Sequence, residues 1–339
     1  MSRQPGLFGS ETAAPPKRKT SGAGDVGPAR DSPLLEAPHL PPEIRLGTSS
    51  WFFPGWRGLV YEGIHPQASL SRKGLAAYAQ IPLLRTVSLD RTFYAPISAA
   101  DYARYASHVP EHFSFVVKAP AIVCDAVMRD EEGREKVANP NFLNAAVATR
   151  EFVLPCLEGL KGKAGPLVFQ VSPLPHSLVE DASLLVERLE AFFAALPCKL
   201  GAHKPIYALE LRNPELLTPR LMRMLGRAGV RYCVGLHDRM PEVERQEAAL
   251  KALDGEELGP LVVRWNLHRG FRYQAAKQRY EPFDRLVDED VETRRVLARM
   301  AARTAKAGQK VWITANNKAE GSAPLTVLEL AREIARQIG

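Results

Sequence analysis

The sequence predicts an α/β protein: one (β/α)8 TIM-type barrel over residues 42–339 behind a disordered tail over residues 1–41. Three observations carry this expectation. Eight short apolar runs rich in β-branched residues alternate with stretches of helical periodicity. The runs are apolar nearly throughout, as strands of a parallel sheet are when both faces are buried. No Gly-x-Gly-x-x-Gly turn follows the first run, which counts against the doubly wound open sheet that the same alternation would otherwise allow. The 339 residues accommodate a barrel, which takes roughly 250.

The first 41 residues are rich in Pro, Gly, Ala and Ser. Such a segment buries too little apolar surface to offset the entropy of ordering it. The strands are expected at 44–49, 84–90, 113–118, 166–171, 206–211, 231–236, 260–265 and 310–315. Between them, Leu185, Leu189 and Phe192 recur at helical spacing, as do Leu221, Met224, Leu225 and Ala228, and Val327, Leu330, Ala331, Ile334 and Ile338. Thr218-Pro219 reads as a helix cap with proline in the first turn, Ala323-Pro324 reads similarly without a capping side chain, and Asp181 is a third cap. Two connections are long, 119–140 after the third strand and 266–287 after the seventh. Both leave the C-terminal ends of strands, the face on which barrel enzymes place their chemistry.

A hydrophobic fraction of 45% with 24% charged residues is ordinary for a globular chain and permits a sizeable core. The tail carries Arg3, Lys17, Arg18, Lys19 and Arg30 against Glu11, Asp25, Asp31 and Glu36, a net of +1. The remaining +6 of the formal +7 falls on the barrel. That excess suits an anionic partner and equally suits plain solubility. Cys124, Cys156, Cys198 and Cys233 are far apart with no Cys-x-x-Cys pair, which argues against a zinc knuckle or a disulfide framework and for a reducing compartment. No run is long and apolar enough for a bilayer and no signal-peptide core is visible, so a soluble, cytoplasmic protein without membrane partners is expected.

Several segments together resemble the YecE-like family (domain of unknown function 72). They are Gly47-Thr48-Ser49-Ser50-Trp51 with Pro54-Gly55-Trp56-Arg57-Gly58, Thr92-Phe93-Tyr94, Phe115-Val116-Val117-Lys118-Ala119-Pro120, Phe169-Gln170-Val171-Ser172-Pro173, Ala208-Leu209-Glu210-Leu211-Arg212-Asn213-Pro214 and Asn316-Asn317. The matches run in order from about Ile44 almost to the C-terminus. The resemblance implies a barrel with its site at the strand ends, and it implies no particular reaction. The chain departs from the family pattern where Ser88 and Asp90 stand in place of Glu and Asn, where Ser172-Pro173 replaces Pro-Pro, and where Arg264-Trp265-Asn266-Leu267-His268 only loosely matches Arg-Leu-His-Gly. A catalytic role for that Glu in the family would make this member a divergent enzyme.

Polar residues at strand ends converge on the mouth of a barrel. Lys118 closes an apolar strand, where an ammonium requires an anion or a lowered pKa; it reads as an anion ligand or a base, or else as an ion-pair partner of Glu210 or Asp90. Glu210 and Arg212 lie two apart and share a face, which fits an acid/base group beside an anion clamp or an internal salt bridge. Lys118, Glu210 and Asp90 are therefore the catalytic candidates. Ser49, Trp51, Trp56, Arg57, Tyr94, Gln170, Arg212, Arg264, Asn316 and Asn317 are the substrate-binding candidates, with the tryptophans and Arg57 able to stack on a planar or sugar-like ligand or to pack over the barrel end.

No cofactor is predicted and no metal-ligand spacing is present. A divalent metal stays open only through Asp90, Glu210, His237, Asp238 and His268, a thin supply among competing cations. Gly321-Ser322-Ala323-Pro324 offers a helix start for a phosphate. The loop carrying His268, Arg269, Phe271, Arg272, Tyr273, Lys277, Arg279 and Tyr280 fits nucleic acid, a cover over a phosphorylated molecule, or ordinary solvation. In the tail, Gln4-Pro5-Gly6-Leu7-Phe8 resembles the Gln-x-x-Leu-Phe peptides that dock on the bacterial sliding clamp, with Gln4, Leu7 and Phe8 as anchors.

Two function classes follow. One is an acid/base enzyme, or a binder, acting on a small anionic or phosphorylated ligand at the barrel mouth. The alternative is a DNA-metabolism protein recruited to the sliding clamp by its tail and binding nucleic-acid phosphate. Substrate, reaction and oligomeric state are not legible in the sequence.

Overall fold

The computed structural model describes residues 25–129, 135–255 and 257–339. Eight strands occupy the expected places: β1 (Ile44–Thr48), β2 (Leu84–Leu89), β3 (Ser114–Lys118), β4 (Ala164–Gln170), β5 (Ile206–Glu210), β6 (Arg231–Leu236), β7 (Leu261–Trp265) and β8 (Val311–Ala315). Every neighbouring pair is parallel, and pairing of β1 with both β2 and β8 closes the sheet. The open doubly wound alternative is thereby excluded.

A helix returns the chain after each strand: α1 (Gln67–Tyr78), α2 (Ala99–Ser107), α3, α4 (Ala182–Ala194), α5 (Pro219–Ala228), α6 (Val243–Asp254), α7 (Val291–Lys306) and α8 (Ala323–Ile338). The third, α3, comprises consecutive segments Ala145–Ala148, a π turn over Thr149–Val153, and Leu154–Leu160. The anticipated caps form: Thr218 Oγ1 accepts from the Leu221 N–H, Asp181 Oδ1 accepts from the Leu184 N–H, and α8 begins at Ala323-Pro324 without a side-chain cap. The helical stripes face inward, with Leu185, Leu189, Leu221, Met224, Leu225, Val327, Leu330 and Ile334 all buried.

Side chains alternate along a strand, so every second residue points into the barrel. One inner layer consists of Val116, Val168, Ala208, Cys233, Val262 and Trp312, separate from the larger core between sheet and helices. The Trp312 indole spans this interior and donates to Ser114 Oγ at 2.6 Å. Two residues further along the same rows stand Lys118, Gln170, Glu210, Gly235 and Arg264. The barrel thus carries an ionic layer directly above an apolar one, at its C-terminal end.

Residues 25–41 differ from the expectation of a flexible tail. Val26, Ala29 and Leu34 are buried, the Ala29 N–H donates to Val60 O at 3.0 Å, and Ser32 Oγ donates to Leu59 O at 2.5 Å. The few apolar residues of this stretch suffice because they dock on an existing surface rather than build a core. Gln4, Leu7 and Phe8 lie outside the described residues. Among those described, no helix is long and apolar enough to cross a membrane. Cys124, Cys156 and Cys233 are buried free thiols, and Cys198 is an exposed one.

Candidate functional site

The ionic layer is built around Arg264, which is 2% exposed. Its Nη2 donates to both Asp90 oxygens at 2.8 and 2.7 Å, and its Nη1 donates to Glu210 Oε2 at 2.6 Å and to Gln170 Oε1 at 3.2 Å. Arg212 Nη2 forms an ion pair with the other Glu210 oxygen at 2.6 Å and donates to Gln170 Oε1 at 3.0 Å. Asn266 Nδ2 adds a longer bond to Glu210 at 3.4 Å, and Ser88 Oγ donates to Asp90 Oδ1 at 2.6 Å. Gly235 makes the arrangement possible: a Cβ there would stand 3.1 Å from the Glu210 carboxylate, tighter than neighbours normally approach. Burial pushes the Glu210 carboxyl up, but Arg212 and Arg264 outweigh it and hold it below the usual carboxylate value.

Glu210 is thus a sequestered counter-ion with both oxygens engaged. Of the two readings of Glu210 with Arg212, the internal salt bridge is the one this geometry favours. Gln170 and Arg264 likewise belong to the latch rather than to a ligand-facing surface. Asp90 remains partly exposed while clamped by Arg264.

Lys118 does not join this ladder. Its Nζ lies 3.5 Å from the centre of the Phe93 ring, and no carboxylate among the described residues comes within ion-pair distance of it, because arginines occupy both candidates. Burial lowers its pKa to about 8, against the opposing pull of Asp90. The expected ion pair with Glu210 or Asp90 is therefore absent.

A cleft of about 780 Å³ opens beside the layer, over the ends of β8, β1 and β2. Ser49, Trp51, Tyr94 and Asn316 line it as expected, together with Ser88 and Asp90. Asn316 Nδ2 donates to Ser49 Oγ at 2.8 Å, and Asn316 Oδ1 accepts from Lys318 Nζ at 3.2 Å. Sequence reading missed Lys318, whose Nζ stands 4.2 Å from the Tyr273 ring centre and whose pKa burial lowers to about 8. It missed Arg72, Arg104, Tyr105 and His108 as well, which come from helices rather than strand ends. The signal available for Lys318 was its place directly after Asn316-Asn317.

Three further substrate-binding expectations are corrected. Trp56 is fully buried and its Nε1 donates to Asn317 Oδ1 at 3.1 Å, while the same oxygen accepts from the Ala323 N–H at 2.9 Å. These two residues are a strut between the β1 loop and the start of α8. Gly55 seats that loop, since a Cβ there would lie 1.7 Å from Pro282 O. Arg57 is exposed outside the cleft. Asn317→Ala is accordingly expected to cost roughly 1–3 kcal/mol, the penalty for leaving buried donors unpaired. The drop would be read from the urea midpoint, with ligand affinity of the folded protein unchanged.

The phosphate cradle expected at Gly321–Pro324 is also corrected. Ser322 and Ala323 are buried, the Ala323 N–H is taken by Asn317, and the chain around Arg285 and Val287 packs on Gly321. The basic loop after β7 folds into a helix, Tyr273–Tyr280, over a small core of Leu267, Ala276, Tyr280 and Phe283. Its charges are largely paired: Arg269 with Glu242, Arg279 with Asp288 and Lys277 with Glu281. That leaves little of it for nucleic-acid phosphates. A second cavity of about 490 Å³ near His237 is lined by groups that already pair, His237 with Asp238 and Arg269 with Glu242. Among the described residues no three His, Cys, Asp or Glu side chains cluster as a metal site. Of the carboxylates named as ligands, arginines hold Asp90 and Glu210, and Asp238 pairs with His237.

A closed eight-stranded barrel with an ionic layer under its C-terminal mouth and one large cleft beside it defines a TIM-type barrel protein with its polar groups gathered at the strand ends. The sequence matches the family described as "Protein of unknown function DUF72" over residues 45–338, and the chain belongs to that family. A DUF72 family protein from Enterococcus faecalis V583 is similar in structure, with 16% identity, a TM-score of 0.56, and 86% of this chain and 95% of that one covered. Another, from Thermotoga maritima MSB8, has 18% identity and a TM-score of 0.55, covering 86% and 99% of the two chains. At these identities the likeness speaks to the fold. No curated protein matches the chain in sequence.

Proposed function

We propose that the chain binds a small anionic or phosphorylated ligand at the C-terminal mouth of the barrel and acts on it by acid/base chemistry through Lys118. One observation carries this reading: the ionic layer pairs Asp90 and Glu210 with Arg212 and Arg264, and Lys118 is left over without a carboxylate among the described residues. A buried unpaired cation is unfavourable unless an anion joins it. Arg212 Nη1 supports the same reading, being buried without a hydrogen-bond partner. With a pKa of about 8, Lys118 is divided between ammonium and amine near neutral pH, as a proton carrier requires. Asp90 and Glu210 then act as positioning residues that fix the arginines.

The test is thermal unfolding against sugar phosphates, nucleotides, short single-stranded DNA and divalent cations, with Lys118→Ala alongside. A ligand at about a hundred times its Kd adds roughly 2.7 kcal/mol, which moves the midpoint by a few degrees. The expected result is a shift with a phosphorylated ligand that is lost in Lys118→Ala. A shift with divalent cations alone, or none with any anion, would sink the proposal.

A further inference from the structure

The cleft has an unusual balance of partners. Its cations, Arg72, Arg91, Arg104 and Lys318, are donors only, and Arg104 also pairs with Asp101. The single carboxylate among its described lining residues, Asp90, is already held by Arg264 and Ser88, and Asn316 Oδ1 by Lys318. Its cations therefore outnumber its free anionic groups, while Ser50, Ser71, Tyr94 and Tyr273 add hydroxyls that both donate and accept. A phosphate, rich in acceptors and lacking obligatory donors, matches.

The rest of the wall is aromatic. Trp51 meets Phe52 and Tyr105 edge-on, with ring centres 5.6 and 5.7 Å apart. Two rings on the rim are left open to solvent, Tyr94 at 86% and Tyr273 at 47% exposed. Tyr94 follows β2 and Tyr273 follows β7, so they stand on opposite flanks of a cleft centred on β8 and β1. Large rings exposed at a concave site, rather than scattered on the surface, mark a surface that something planar covers. A π face asks for no directed hydrogen bond, so a ring can rest there without a further polar partner. The volume is in the upper part of the range for small-ligand sites.

We infer that the ligand is a nucleotide unit, its base laid on the aromatic walls between Tyr94 and Tyr273 and its phosphate held by the donor-only cations. This rests on the reading above that the ligand is an anion, seats its phosphate on the cleft cations, since Lys118 and Arg212 are not among the lining residues, and adds the ring. The same chemistry is offered by a free nucleotide and by the end of a single strand.

The test is titration calorimetry of the full chain with four probes: ribose 5-phosphate, adenosine, adenosine monophosphate, and a short 5′-phosphorylated deoxyadenosine strand. Stacking of one base predicts about tenfold tighter binding of the monophosphate than of ribose 5-phosphate. Tyr94→Ala with Tyr273→Ala should remove that margin, and Tyr94→Phe with Tyr273→Phe should keep it. Both tyrosines are rim residues, and circular dichroism with unchanged thermal midpoints checks the fold. A strand that binds more tightly than the monophosphate, with affinity falling steeply in salt, supports the proposal and names the strand end; equal binding supports it and names the free nucleotide. Equal affinity for ribose 5-phosphate and the monophosphate, unmoved by the alanine pair, overturns the nucleotide inference while the anion reading stands. Adenosine binding as tightly as its monophosphate, or no binding of any phosphate, overturns both.

Discussion

Glu210→Ala is expected to destabilise the barrel by roughly 3–5 kcal/mol, because it leaves two buried guanidinium groups without their shared counter-ion. Arg212 and Arg264 each pair with a different oxygen of this carboxylate at 2.6 Å, and the carboxylate itself is fully buried. Urea unfolding should show the loss, and the thermal midpoint should fall by roughly 6 °C or more. Removing Arg212 as well should cost less than the two single losses added together, since the second substitution relieves one of the unpaired charges. A loss under about 1 kcal/mol would mean that water reaches the arginines and that the layer is not sealed. The acid limb carries the same information. Glu210 holds its proton less tightly in the fold than when unfolded, so its contribution is complete above the unfolded value near 4.5 and disappears as pH falls below it. Glu210→Gln should therefore lose less stability than the parent between about pH 5 and pH 3.

The barrel was legible because its signals are local and repeat. Each strand is a short β-branched run, and Thr218 and Asp181 mark helix starts with side chains that do form the caps. The segment 25–41 was not legible because its order comes from elsewhere. Its Pro- and Ser-rich composition reads as unstructured, and Leu34 is buried only because the barrel offers a surface to receive it.

The candidate site was legible in part, for a reason visible in single residues. A strand's period of two placed Lys118, Glu210 and Arg264 at the mouth. It could not say which neighbour each would choose, since β2, β4, β5 and β7 all contribute to the layer and their contacts span up to 174 residues. Glu210 and Lys118 read alike in sequence as lone charges at apolar strand ends; one is locked between arginines and the other is left over. Trp56 and Asn317 were misread because an aromatic and an amide near a mouth describe a ligand contact and a buried strut equally well. Only the 3.1 Å bond between them decides. Arg72, Arg104 and Tyr105 carry no signal at all, because their helices meet the cleft through packing rather than through any strand-end rule.

Lys118→Met is expected to raise stability at pH 7 by on the order of 2–3 kcal/mol while weakening anion binding. The physical reason is the unpaired charge. Burial lowers the Lys118 ammonium from the ordinary 10.5 to about 8, even with Asp90 pulling the other way. Below pH 8 both folded and unfolded chains hold the proton, and the fold bears the whole penalty. Between about 8 and 10.5 the folded chain releases the proton while the unfolded one keeps it, so the parent's stability should climb with pH through that window. Methionine fills the space of the lysine stem, sets its sulfur near Phe93 and removes the charge. The climb should then shrink without vanishing, because Lys318, also near 8, contributes its own share. Urea unfolding of both proteins at pH 7, 8 and 9.5 reads the effect. A variant no more stable than the parent at pH 7, with the same climb, would mean that Lys118 already has an anionic partner in the folded chain. A variant that is stabilised yet binds a phosphorylated ligand undiminished would move the anion away from β3 and toward Lys318. A gain in stability joined to a loss of binding is the signature of a group kept at a cost to the fold for the ligand it meets.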